Sequence, residues 1–160
     1  MKWLAVLVLF ATPAFAQEDT AYRLESDGTI TGAPTKASLA VDFDPDPGWF
    51  GNPVRDVTLR IDDRELRLPL CLTTLLKSRS RDDVWVGPFA SQLRVEFRKA
   101  GEATEGVRFL FDMKTAALLE ASKIDEKRNW LLRKHVSAVD IDVATECGGE
   151  PVARPAAPST

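Results

Sequence analysis

From residue 37 onward, apolar side chains return at every second position in one short segment after another, and a chain so patterned buries them as β-strands of a sheet covered on one face. Leu39, Val41 and Phe43 alternate with Ala40 and Asp42. Val57, Leu59 and Ile61 alternate with Thr58, Arg60 and Asp62, and Leu66, Leu68 and Leu70 with Arg67 and Pro69. The pattern resumes at Val84 and Val86, at Leu93, Val95 and Phe97, at Val107, Phe109 and Phe111, and at Val139, Ile141 and Val143. Asp62-Asp63-Arg64 is short enough for a hairpin turn, and further breaks fall at Gly87-Pro88, residues 99–106 and residues 125–129. The expected fold is mainly β: a single antiparallel β-sandwich or small barrel-like sheet of about seven to nine strands.

Two stretches depart from the period of two. In residues 71–78, after Pro69, Leu72, Leu75 and Leu76 have helical spacing, so a short helix is expected there. Residues 113–123 are rich in helix formers and could make a second helix, yet they directly follow the strand that ends at Phe111. Asp112 to Thr115 can turn the chain back, and the expectation is a returning strand, since neighbours outweigh propensity in such cases.

The first residues limit where this domain works. Lys2, the apolar run from Trp3 to Ala11, Pro13 and the triplet Ala14-Phe15-Ala16 make a secretory leader over residues 1–16, cleaved before Gln17. The expected location is the bacterial periplasm or the cell exterior, with no membrane span after cleavage. Residues 17–34 read as a polar N-terminal segment, loop or one edge strand near 21–24. Residues 35–147 form one β domain, and the Pro- and Ala-rich residues 148–160 lack the apolar bulk to join a core. In an oxidising compartment Cys71 and Cys147 are expected to form a disulfide. Losing Lys2 takes the net charge from −3 to −4, which gives no reason to expect nucleic-acid binding.

Candidate chemistry is sparse. Asp42, Asp44 and Asp46 alternate ahead of Gly48, a spacing that can converge oxygens on calcium, although Pro45, Pro47 and Pro53 depart from an EF-hand loop. The same loop carries Trp49 and Phe50 between glycines. The expectation is that one of them folds back as a lid over the sheet, while the loop remains the first choice for a binding surface. His135, the only histidine, has Arg133 and Lys134 beside it and no orienting carboxylate, so pairing with Ser91 or Ser137 as base and nucleophile is not expected. Asp82-Asp83 and Asp140 with Asp142 read as solvent-side carboxylates. The basic group Lys123, Lys127, Arg128, Arg133 and Lys134 around Trp130 reads as a solvated hairpin, and residues 77–83 as an exposed connector.

No catalytic residue and no cofactor other than calcium is indicated. The functional expectation is a non-enzymatic binding or accessory protein whose partner is an envelope protein or polymer. An inhibitor of an extracellular hydrolase, presenting the 44–53 loop, is the first alternative. A small carboxylate-based enzyme assembled only in three dimensions is the second.

Overall fold

The computed structural model describes residues 21–99, 104–128 and 134–149; the expected leader and most of the expected C-terminal tail lie outside them. Ten strands form two antiparallel sheets, packed as a β-sandwich. Sheet A takes β1 (Arg23–Leu24), β2 (Thr29–Thr31), β3 (Ala37–Phe43), β4 (Val54–Ile61) and β5 (Arg64–Arg67) in chain order. Sheet B takes β6 (Val84–Phe89), β7 (Gln92–Arg98), β8 (Thr104–Asp112), β9 (Leu118–Arg128) and β10 (Lys134–Asp140), again with consecutive strands adjacent. A short helix α1 (Leu70–Thr73) and a 3₁₀ turn (Arg81–Asp83) carry the chain from one sheet to the other, and α2 (Val143–Glu146) follows β10.

The alternation becomes the core. Leu39, Leu59, Ile61 and Leu66 of sheet A face Leu93, Val95, Phe97, Phe109 and Phe111 of sheet B, all buried in one cluster. Phe97 meets Phe109 edge-on, with ring centroids 6.0 Å apart, a favoured aromatic arrangement. On one side β1 lies against β6. On the other, α1 and α2 meet, and the Cys71–Cys147 disulfide joins them at a Cα separation of 5.3 Å. A disulfide of this kind fits an oxidising compartment outside the cytoplasm.

Several boundaries differ from the sequence expectation. The N-terminal segment supplies two strands: Ile30 is buried and pairs with Ala37, so apolar burial extends sheet A back through residues otherwise polar. The helix near 71–78 shrinks to Leu70–Thr73, after which i→i+3 bonds from Leu75 and Leu76 bring Leu72 and Leu76 into the core. The alternative helix at 113–123 does not form. Asp112 Oδ1 accepts the backbone N–H groups of Lys114 and Thr115 at 2.8 and 2.7 Å, closing the turn that returns the chain as β9. The break expected at 125–129 is displaced, because β9 runs on to Arg128, which pairs with Lys134. At the far end the strand stops at Asp140. Asp142 accepts from the Thr145 N–H at 3.3 Å as the cap of α2, which places Val143 in a helix, not a strand.

Candidate functional site

The loop between β3 and β4, residues 44–53, is built from both ends. Asp44 N–H donates to the Pro53 carbonyl at 2.7 Å, and the Asp44 carboxylate accepts the Asp46 N–H at 3.0 Å and faces Arg55 at 3.0 Å. Asn52 ties the other limb down: its amide donates to the Thr73 carbonyl at 2.9 Å and to the Val54 carbonyl, and its oxygen accepts the Val54 N–H at 3.2 Å. The turn at the tip depends on two glycines. Gly48 takes φ +63°, and a side chain at Gly51 would start 1.6 Å from the Pro47 carbonyl oxygen. Between them Trp49 and Phe50 are wholly exposed, at 99% and 102%. Neither acts as a lid, contrary to expectation; the turn holds both side chains away from the sandwich.

The calcium expectation finds no convergent ligand set. Asp44 is engaged with Arg55 and with the Asp46 backbone, Asp42 and Asp46 are exposed, and among the described residues no group of three His, Cys, Asp or Glu side chains could hold a metal ion.

Other singled-out residues have structural work. Asp83 accepts from the N–H groups of Arg79 and Ser80 at 3.0 and 3.3 Å, and Asp142 caps α2. Arg81, in the charged connector, donates to the Ser26 carbonyl and so links the connector to the N-terminal strands. Ser91 is exposed in the β6–β7 turn and Ser137 is exposed on β10. The side chains of His135, Lys127, Arg128 and Lys134, with residues 129–133, lie outside the described residues.

Two constellations were missed by sequence reasoning. The first crosses the outer face of sheet B, where strand register aligns Trp85, Glu96, Arg108, Ser122 and Asp140 in one row. Glu96 is only 3% exposed. Its carboxylate accepts from Arg98 Nε and Nη2 at 3.1 and 2.6 Å and from Arg108 Nε at 3.0 Å, with Arg94 Nε at 3.7 Å. Burial pushes this carboxyl up, but the hydrogen bonds and charges of Arg98 and Arg108 outweigh it and hold it below its ordinary value of 4.5. The Arg98 guanidinium also lies over the Trp85 ring, 4.7 Å from its centroid. The alternation Arg94, Glu96, Arg98 was the available signal.

The second is a cleft of about 420 Å³, where Thr74, Leu75 and Lys77 face the end of β7, the start of β8 and the middle of β9. The inner face of sheet B changes there row by row. Val95, Phe109, Ala121 and Ile141 form a buried row; Phe97, Val107, Lys123 and Val139 form the next, buried at one side and open at the other. Beyond it come Lys99, Glu105, Asp125 and Ser137, an entirely polar row.

The fold and its surfaces thus define a disulfide-closed β-sandwich with one braced, aromatic-tipped loop and one lysine-rimmed cleft. No protein-family model, curated protein or solved structure matches this chain.

Proposed function

We propose that this chain is an exported, non-enzymatic binding domain that docks an envelope protein or polymer through residues 44–53, with Trp49 and Phe50 as anchors. The observation that carries this reading is the complete exposure of two neighbouring large aromatics at the tip of a loop tied down at both ends. Burying either ring removes roughly 150–250 Å² from water, worth about 4–6 kcal/mol at the usual coefficient before any association cost. A loop already ordered by three prolines, an ion pair and an asparagine brace loses less freedom on docking than a loose one. A rigid loop also suits an inhibitor of an extracellular hydrolase, and the nature of the partner separates the two readings.

Hydrogen bonds hold Asp27, Asp112 and Asp142 below the usual carboxylate value: chiefly the backbone N–H of Thr29, the backbone N–H of Thr115 and the side chain of Thr145, respectively. These three carboxylates serve turns and a helix cap.

The test is affinity capture from an envelope extract with the mature protein, followed by Trp49→Ala and Phe50→Ala. Each substitution is expected to leave the melting temperature within about 1 °C of the parent, because neither ring packs on the domain. At least one should weaken the captured partner by about thirty-fold, as hot-spot truncations do. Unchanged affinity in both variants would remove the loop from the contact surface.

A further inference from the structure

We infer that β10 is a self-docking edge: two copies of this chain join their sheets through antiparallel β10 strands about a two-fold axis, with Lys134 of each copy opposite Asp140 of the other. β10 belongs to sheet B and the aromatic loop to sheet A, so the two surfaces are independent.

The edge of a sheet presents unpaired N–H and C=O groups to any strand that meets it, and folds blunt such edges by shortness, charge, proline or cover. Among the described residues, three of the four sheet edges are blunted. β1 has two residues and lies against β6. β5 has four, of which Arg64, Glu65 and Arg67 are charged. β6 contains Pro88, which has no N–H to donate. β10 is the exception. It runs for seven residues with neither proline nor glycine, and its one strand neighbour among the described residues is β9. Residues 137–140 are all exposed, Val139 at 66%.

One hydrogen bond fixes which backbone groups face the open side. Ile141 N–H donates to the Ala121 carbonyl at 2.8 Å, in continuation of the register between β9 and β10. Successive residues of a strand turn their N–H and C=O groups to opposite sides. Ser137 and Val139 therefore bond toward β9, while Lys134, Val136, Ala138 and Asp140 present theirs outward. For two such edges to pair about a two-fold axis, outward residues must stand opposite outward residues. An axis at Ser137 achieves this along the whole strand, with Lys134 opposite Asp140 and Val136 opposite Ala138, each pair exchanging both backbone bonds. A shift of two residues either way moves the ends off the strand and loses the match of Lys134 with Asp140.

The charges agree with that register. Within one chain Lys134 stands opposite Arg128 on β9, a like-charge pair, and Asp140 stands opposite Ser122. Reversed pairing sets an aspartate on the free side of each Lys134. Between these ends Val136, Ser137 and Ala138 are uncharged and small, and nothing in them keeps two backbones apart. Val139 falls opposite His135 in a non-hydrogen-bonded pair, where strands approach most closely. Residues 150–160 are a poorer occupant, since the prolines at 151, 155 and 158 interrupt any ladder they could offer. The two-fold axis closes the assembly at two copies, and the blunted edges stop further growth.

A ladder of this length is small beside the roughly 1,200–2,000 Å² of a standard interface, so a dimer with a micromolar Kd is expected. Sedimentation equilibrium of the oxidised mature chain from about 1 to 500 µM should show a reversible monomer–dimer equilibrium. Ala138→Pro removes an outward N–H, a change that an edge strand tolerates. It should weaken the dimer by at least about a hundred-fold and leave Tm within about 2 °C. Asp140→Lys turns two symmetry-related pairs repulsive and should weaken it by about ten-fold. Combining Lys134→Asp with Asp140→Lys should restore the parent's Kd to within about three-fold. A parent that stays monomeric, a dimer indifferent to Ala138→Pro, or a charge swap without recovery would each overturn the inference. So would dimers that appear only when residues 150–160 are removed, which would make the tail the occupant. A dimer lost in Trp49→Ala but kept in Ala138→Pro would move the contact to the loop and overturn it equally.

Discussion

Replacing Glu96 by glutamine should cost this domain about 3 kcal/mol at neutral pH. The substitution keeps the side chain's shape and removes its charge, leaving Arg94, Arg98 and Arg108 around a neutral amide. Breaking a buried ion pair by removing one partner costs about 3–5 kcal/mol. Here the lower end applies, because the three arginines retain 38%, 20% and 16% exposure and can recover water. For a domain of this size the loss corresponds to a fall of about 10 °C in Tm. The pH dependence follows from the depressed carboxyl. A group held below its unfolded value stabilises fully above that value, 4.5 for glutamate, and the contribution disappears as pH falls through the folded value. The stability gap between parent and Glu96→Gln should therefore be widest at neutral pH and close progressively on acidification below pH 4.5. Urea unfolding of both proteins across a pH series measures it. A gap under about 0.5 kcal/mol at neutral pH, or one that does not narrow in acid, would refute the reasoning.

Three further outcomes are expected. The double substitution Cys71→Ser, Cys147→Ser should destabilise the domain by about 4.5 kcal/mol, the chain-entropy value for a separation of 76 residues, as read from denaturant midpoints; a loss below about 1 kcal/mol would contradict it. Millimolar calcium should leave Tm unchanged, because Asp44 is held by Arg55; a rise reversed by chelator would return Asp42, Asp44 and Asp46 to consideration as ligands. Mass spectrometry of the exported protein should find Gln17 as the first residue, and an intact Met1 would exclude the leader.

What was legible from residues alone was whatever repeats locally. The alternations around Leu39, Val57, Leu93 and Phe109 became strands with those residues inside, since a period of two assigns faces without knowledge of the partner strand. The disulfide was legible from compartment and count. Less visible was anything that depends on which strands lie side by side. The row joining Trp85, Glu96 and Arg108 spans three strands, and Lys77, Lys99 and Lys123 are brought to one cleft from separate elements. Trp49 and Phe50 went the other way: extended-chain reasoning favoured folding one of them inward, whereas the turn made possible by Gly48 and Gly51 turns both outward. The cap at Asp142 was a local signal that the alternation of Val139, Ile141 and Val143 masked.

The bond between Cys71 and Cys147 divides the chain into parts with different fates under proteolysis. Every strand of sheet B, from Val84 to Asp140, lies between the two cysteines, and every strand of sheet A, from Arg23 to Arg67, precedes them. Sheet B is therefore a closed covalent ring, with sheet A attached as an open arm. A single backbone cut within the ring leaves one covalently connected molecule. A cut in the arm at residues 44–53, where Trp49 and Phe50 are fully exposed, separates β1 to β3 from everything after them. The cleft is thus built on the part of the chain that a single cut leaves connected, and the 44–53 loop on the part that it does not.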